Sequence, residues 1–226
     1  MSLSDSSAMK NPAVRFYEWK NAQWKYWDKE ESKSVVVEKI FVMPIDKLAT
    51  IKGFNDSSQS SIYSNEVHNI KNEELIVKSF KGGPIASGLY SEIKGEVSGA
   101  GGKFATSLYA VQITKLNDIV KLELVNLSFT GAALGVFIDA KIKINGTVLE
   151  LGGKGPEKKK GATKYFEPTI IERGIREDIL DKCVMIDEEL QKYFDSKSLI
   201  PKELEGAAII VEAVKEIAPE SDDLPF

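Results

Sequence analysis

Arg15-Phe16-Tyr17-Glu18-Trp19-Lys20-Asn21-Ala22-Gln23-Trp24-Lys25-Tyr26-Trp27-Asp28 decides how the rest of the chain is read. All three tryptophans of the 226 residues fall in it, with Lys20, Lys25 and the nearby Lys29 between the rings. Aromatic residues favour strands, and Asn21-Ala22 falls at or near a turn, so the stretch predicts a two-stranded hairpin. The hairpin is expected to divide its rings, Tyr17 from Trp19 and Tyr26 from Trp27, with one face entering a core and the other meeting solvent. Roughly half of such rings serve as core, because they bury large apolar areas. Trp19, Trp24 and Trp27 do not all fit inside one short hairpin. The outward rings suit base stacking, about 1–3 kcal/mol per base and tolerant of sequence, while lysines meet phosphates. Tyr17, Trp19, Lys20, Trp24, Lys25, Tyr26 and Trp27 are therefore candidate nucleic-acid contacts.

Outward from the hairpin, the pattern is that of many strands. Val35 to Val42 is a β-branched run whose bend or end is marked by Pro44, with a further strand over Leu48 to Gly53. Asn55 to Ser61 is a loop by composition, and Ile62 to Val67 a short strand ending at His68. Leu75 to Lys81 alternates, placing Lys78 and Phe80 on one side, and adds Lys78, Phe80 and Lys81 to the candidate contacts. Gly82-Gly83-Pro84 lacks the spacing and the Gly-Lys-Ser/Thr ending of a phosphate loop and reads as a turn. Ile85, Leu89, Ile93 and Val97 are four apart and predict a helix over 85–98. Lys103 to Ile113 and Ile119 to Leu127 predict a hairpin turning at Asn117-Asp118. Phe129 to Ala140 reads as a helix, whose Ala132-Ala133-Leu134-Gly135 would suit a contact between subunits of a dimer.

Thr147 to Leu151 is expected as a short strand, and Gly152 to Lys164 as a flexible basic loop. Within it Lys158, Lys159 and Lys160 are a candidate finger tracking phosphates; a solvated loop is the usual fate of such a run. Tyr165 to Ile171 closes the sheet. Helices are predicted over 175–194, with Cys183 buried, and over 202–217, opened by Pro201 and ended near Pro219. The organisation expected is a disordered leader over 1–11, a β domain over 12–172, a helical segment over 173–218 and a disordered acidic tail over 219–226.

Composition narrows the chemistry. One cysteine, Cys183, rules out an internal disulfide framework; with one histidine, His68, it argues against a dedicated zinc site, and no cofactor or metal is expected. No nucleophile elbow, Walker loop or EF-hand spacing occurs, which favours a binding protein over an enzyme. No long apolar run predicts a membrane span. The net charge of −4 is unevenly spread: acids gather toward the C-terminal end, and lysines and aromatics mix in the first half. Binding follows the local field, so a basic groove is compatible with that total.

The segment Asp222-Asp223-Leu224-Pro225-Phe226 carries an aromatic plug and negative charge on a stretch with too little apolar surface to fold alone. A partner could take Phe226 in a small apolar pocket and the aspartates on a basic rim. The segment resembles the tail of bacterial single-stranded DNA-binding proteins, and the plan of the body is similar to phage-encoded members of that group. The resemblance implies a five-stranded oligonucleotide-binding (OB-fold-like) barrel with added C-terminal helices. It also implies single-stranded DNA as ligand, replication and repair proteins as partners of the tail, and the bacterial cytoplasm as the place of work. A single-strand annealing mediator is the alternative within that chemistry; an assembly or structural protein is the alternative outside it.

Overall fold

Alternating apolar residues dominate the chain, and the computed structural model of the protein is accordingly mainly β. It describes residues 10–117, 119–144 and 146–198. Eleven strands are present among them: β1 (Arg15–Lys20), β2 (Gln23–Asp28), β3 (Lys33–Val37), β4 (Ile40–Asn55), β5 (Ser60–Ser64), β6 (Leu75–Ser79), β7 (Gly83–Gly88), β8 (Gly102–Leu116), β9 (Ile119–Thr130), β10 (Val148–Lys160) and β11 (Thr163–Arg173). Three helices accompany them, α1 (Tyr90–Gly99), α2 (Gly131–Asp139) and α3 (Glu177–Ser198). The chain divides into a large unit, Ala13–Ile186, and a small one drawn from Met1–Pro12 and Asp187–Phe226. The site described below lies wholly in the large unit.

The strands run in the order β3-β2-β1-β9-β8-β4-β5-β6-β7, with β10 on β4 and β11 on β10. The β8–β9 hairpin pairs from Ala105↔Thr130 to Leu116↔Ile119, as its alternation predicts. β1 lies parallel to β9, with Tyr17 beside Leu127. Strand β4 is the spine. One of its edges takes β8 along most of its length. The other is shared: β10 holds its first residues through Phe41↔Glu150, and β5 its last through Phe54↔Ser61.

This sharing is why the expected five-stranded barrel does not form. Two separate strand systems leave the same edge of β4, and the ladder of the described strands stays open. The two strands expected on either side of Pro44 are one sixteen-residue strand. Its register shifts between Pro44 and Asp46, where a residue without an N–H can be accommodated. The helix expected over 85–98 starts only at Tyr90, because Ile85 and Ala86 belong to β7, where Ala86 pairs with Val77 of β6. The expected loop over 152–164 is a β-ribbon, in which Lys158 faces Tyr165 and Lys159 faces Lys164 around a turn at Gly161 (φ 61°).

Two apolar clusters are found among the described residues of the large unit. The first joins Tyr17 and Trp24 to Ile40, Val42, Leu108, Val125, Leu127, Phe129, Leu149 and Leu151, with Ala133 and Phe137 of α2. The second lies under α1 at the other end, where Ile93 and Val97 meet Ile51, Ile62, Leu75 and Val77. Cys183 on α3 is buried, and burial pushes its thiol up to about 11. No described helix is long and apolar enough to cross a membrane. The helix expected over 202–217 and the segment Asp222–Phe226 lie outside the described residues.

Candidate nucleic-acid interface

The β1–β2 hairpin closes on two residues, Asn21 and Ala22, both left-handed at φ 55° and 59°. Two left-handed central residues are the mark of a type I′ turn, whose twist matches that of the flanking strands. The register pairs Tyr17 with Tyr26 and Trp19 with Trp24. Residues two apart share a face, so Tyr17 and Trp19 lie together, contrary to the expected division. The inner face carries Tyr17, Trp19, Trp24 and Tyr26. The outer face carries Phe16, Glu18, Lys20, Lys25 and Trp27.

The inner rings differ in depth. Trp24 is 0 % exposed, stands edge-on to Phe129 at 5.4 Å, and donates from Nε1 to the Gly152 carbonyl at 3.1 Å. Tyr17 is buried and donates its hydroxyl to Gln112 Oε1 at 3.0 Å. Both are core residues and drop out of the candidate contacts, since a ring without exposed area cannot stack on a base. Tyr26 packs partly into the same cluster, beneath the Arg15 guanidinium. Trp19 is only half-buried, and its Nε1 donates to the Phe166 carbonyl at 3.3 Å.

Those two indole hydrogen bonds cross from the hairpin to the β10–β11 ribbon, where no strand ladder joins β2 to β10. Gly152 lies opposite Thr169 within the ribbon, where a Cβ at Gly152 would meet Thr169 Oγ1 at 2.2 Å. Beside this crossing lies a groove of about 1100 Å³. Three rings border it: Trp19 from the hairpin, Tyr165 and Phe166 from the ribbon. Three lysines border it as well: Lys39, Lys154 and Lys164. The Lys154 ammonium sits 3.8 Å from the Phe166 ring centroid, a cation–π contact that holds charge and ring together.

Glu150 anchors one side of the groove. Its buried carboxylate accepts from Lys39 Nζ at 2.8 Å and from Arg173 Nη2 at 2.6 Å and Nε at 3.0 Å. The hydrogen bonds from Lys39 and then from Arg173 hold its carboxyl below the ordinary value. The ribbon lysines are partly neutralised: Lys158 pairs with Glu167 at 2.6 Å and Lys164 with Glu157 at 2.9 Å. Lys154 and Lys159 are exposed and enter no ion pair with a described residue. The side chain of Lys160 is outside the described atoms.

The remaining candidates are scattered. Lys20, Lys25 and Trp27 lie on the hairpin's outer face, turned from the groove. Lys78 belongs to β6, whose neighbours are β5 and β7, and Phe80 and Lys81 follow it in the turn. The groove therefore holds Trp19 from the expected set and adds Lys39, Lys154, Lys164, Tyr165 and Phe166. The adjacency of Tyr165-Phe166 to the basic run was the available signal for the added rings. Lys39 had none, because its place depends on the pairing of β4 with β10. Among the described residues no group of His, Cys, Asp and Glu could hold a metal ion. Comparison with protein-family models, with curated proteins and with solved structures finds no match.

Proposed function

We propose that the protein binds single-stranded DNA with little base preference, laying it along the groove between the β1–β3 sheet and the β10–β11 ribbon. The observation that carries this reading is the gathering of three rings, Trp19, Tyr165 and Phe166, and three lysines, Lys39, Lys154 and Lys164, around one groove. Rings take any base on its π-face, and lysines take the phosphates between. A duplex keeps its bases stacked on one another and offers the rings nothing, so single strands are preferred. Association with replication or repair proteins through Asp222, Asp223, Leu224, Pro225 and Phe226 rests on the resemblance of that segment alone.

Titration with poly(dT) at two salt concentrations, read by tryptophan fluorescence, tests the proposal. Quenching that saturates and weakens with salt is expected, because phosphate neutralisation releases counterions. Equal affinity for duplex DNA would reject it, and no quenching at all would reject it in favour of an assembly role.

A further inference from the structure

We propose that the outer face of the same hairpin carries a second site, one that takes a nucleotide-sized anion. A cavity of about 410 Å³ opens there, within the range of small-ligand sites. It shares only Asn21 with the groove lining.

Three independent features of this cavity call for the same ligand. The first is its rings. Trp27 is 61 % exposed and Phe16 47 %, and extending the register beyond Tyr17↔Tyr26 sets them opposite each other. Two large rings side by side in water form a platform for a flat aromatic group. The second is its charge. Lys20, Lys25 and Lys52 border the cavity, against the single carboxylate of Glu18. None of these lysines enters an ion pair of the described residues. Burial pulls the Lys52 ammonium below its ordinary value, while Glu66 and Glu18 pull it back only in part. The third is Ser128. Its hydroxyl is buried on the outer face next to Glu18 in the β1–β9 register, and it has no hydrogen-bond partner among the described residues. A buried hydroxyl without a partner is uncommon, and a bound anion would supply the missing acceptor.

A phosphate placed among Lys20, Lys25 and Lys52 neutralises the surplus charge and accepts from Ser128. A base attached to it reaches the Trp27 and Phe16 rings. Glu18 opposes the anion and sets the limit on its affinity. The ligand is therefore a nucleoside monophosphate, either free or as the phosphorylated end of a strand.

Calorimetric titration of the full chain with dTMP tests the site, with inorganic phosphate as competitor. One-to-one binding is expected, weakened about tenfold by Trp27→Ala, as the loss of one stacked ring implies. Lys52→Met, which keeps the aliphatic stem, should weaken it to a similar degree, and phosphate should compete. Trp19→Phe should leave it unchanged, which separates this pocket from the groove. Absence of binding, or binding indifferent to Trp27→Ala, overturns the proposal. So does binding lost in Trp19→Phe and kept in Trp27→Ala, which would put dTMP in the groove. Should Lys52→Met fail to fold by circular dichroism, the exposed Lys20→Ala replaces it. Competition by a 5′-phosphorylated oligo(dT) assigns the pocket to strand ends, and failure to compete assigns it to the free nucleotide.

Discussion

Trp19 and Trp24 face each other across the β1–β2 ladder, edge to face, with ring centroids 5.5 Å apart and planes at 62°. One closes a core and the other borders a groove, and the contact ties the stability of the first to the position of the second. Trp24 is fully buried against Phe129, Leu149 and Leu151, so Trp24→Ala should cost about 3–5 kcal/mol of stability. Trp19→Ala should leave a folded protein that loses about 1–3 kcal/mol of single-stranded DNA affinity. Chemical denaturation and DNA titration of both variants separate the roles. A Trp24→Ala protein with the parent midpoint would show that the ring is not structural.

Ala22 holds a left-handed backbone at φ 59°, where its Cβ is crowded by the carbonyl that follows. A type I′ turn prefers glycine at that second position. Ala22→Gly should therefore stabilise the protein by about 1 kcal/mol, the strain relieved exceeding the chain entropy added to the unfolded state. An unchanged or lowered denaturation midpoint would mean that the turn relaxes without strain.

What could be read in the sequence was local. The hairpins of β1–β2 and β8–β9 follow from alternation and turn residues, which act within some ten residues. The failure of the barrel was not local: it follows from β4 offering one edge to both β10 and β5, a choice made between segments about a hundred residues apart in sequence. The ribbon over Val148–Lys160 and Thr163–Arg173 was hidden because glycine and lysine lack strand preference. Pairing with Tyr165 and Phe166, stiff ring-bearing neighbours, supplied what composition did not. The groove inherited both difficulties, since one wall is the legible hairpin and the other the illegible ribbon.

Glu150 makes acid a probe of the groove. The hydrogen bonds of Lys39 and Arg173 depress its folded value below that of an unfolded carboxylate, about 4.3. The stabilisation is therefore present above that unfolded value and is lost as the pH falls through the lower folded one. Glu150→Gln removes the titrating group, so its melting temperature should fall less steeply with acidification than that of the parent. Parallel melting curves for the two proteins across the acid range would show that the triad contributes nothing to the pH dependence.

Lys158 and Lys159 are neighbours on the ribbon, yet they should not count equally toward DNA. Lys158 is already held by Glu167 at 2.6 Å, and that hydrogen bond raises its own acid value. A phosphate meeting Lys158 must displace a carboxylate, so fewer counterions are released there than at an unpaired lysine. Lys159 is exposed and enters no ion pair with a described residue. If it meets one phosphate of a single strand, Lys159→Ala should reduce the slope of log affinity against log salt by about 0.7. Lys154→Ala should do the same and also free the Phe166 ring. Lys158→Ala should change the slope by clearly less, while all three variants keep the parent stability, because exposed lysines contribute little to the fold. The measurement is a salt series of poly(dT) titrations on the three single variants. Equal slopes for Lys158→Ala and Lys159→Ala would mean that the ion pair to Glu167 opens freely and that the whole ribbon edge tracks the strand.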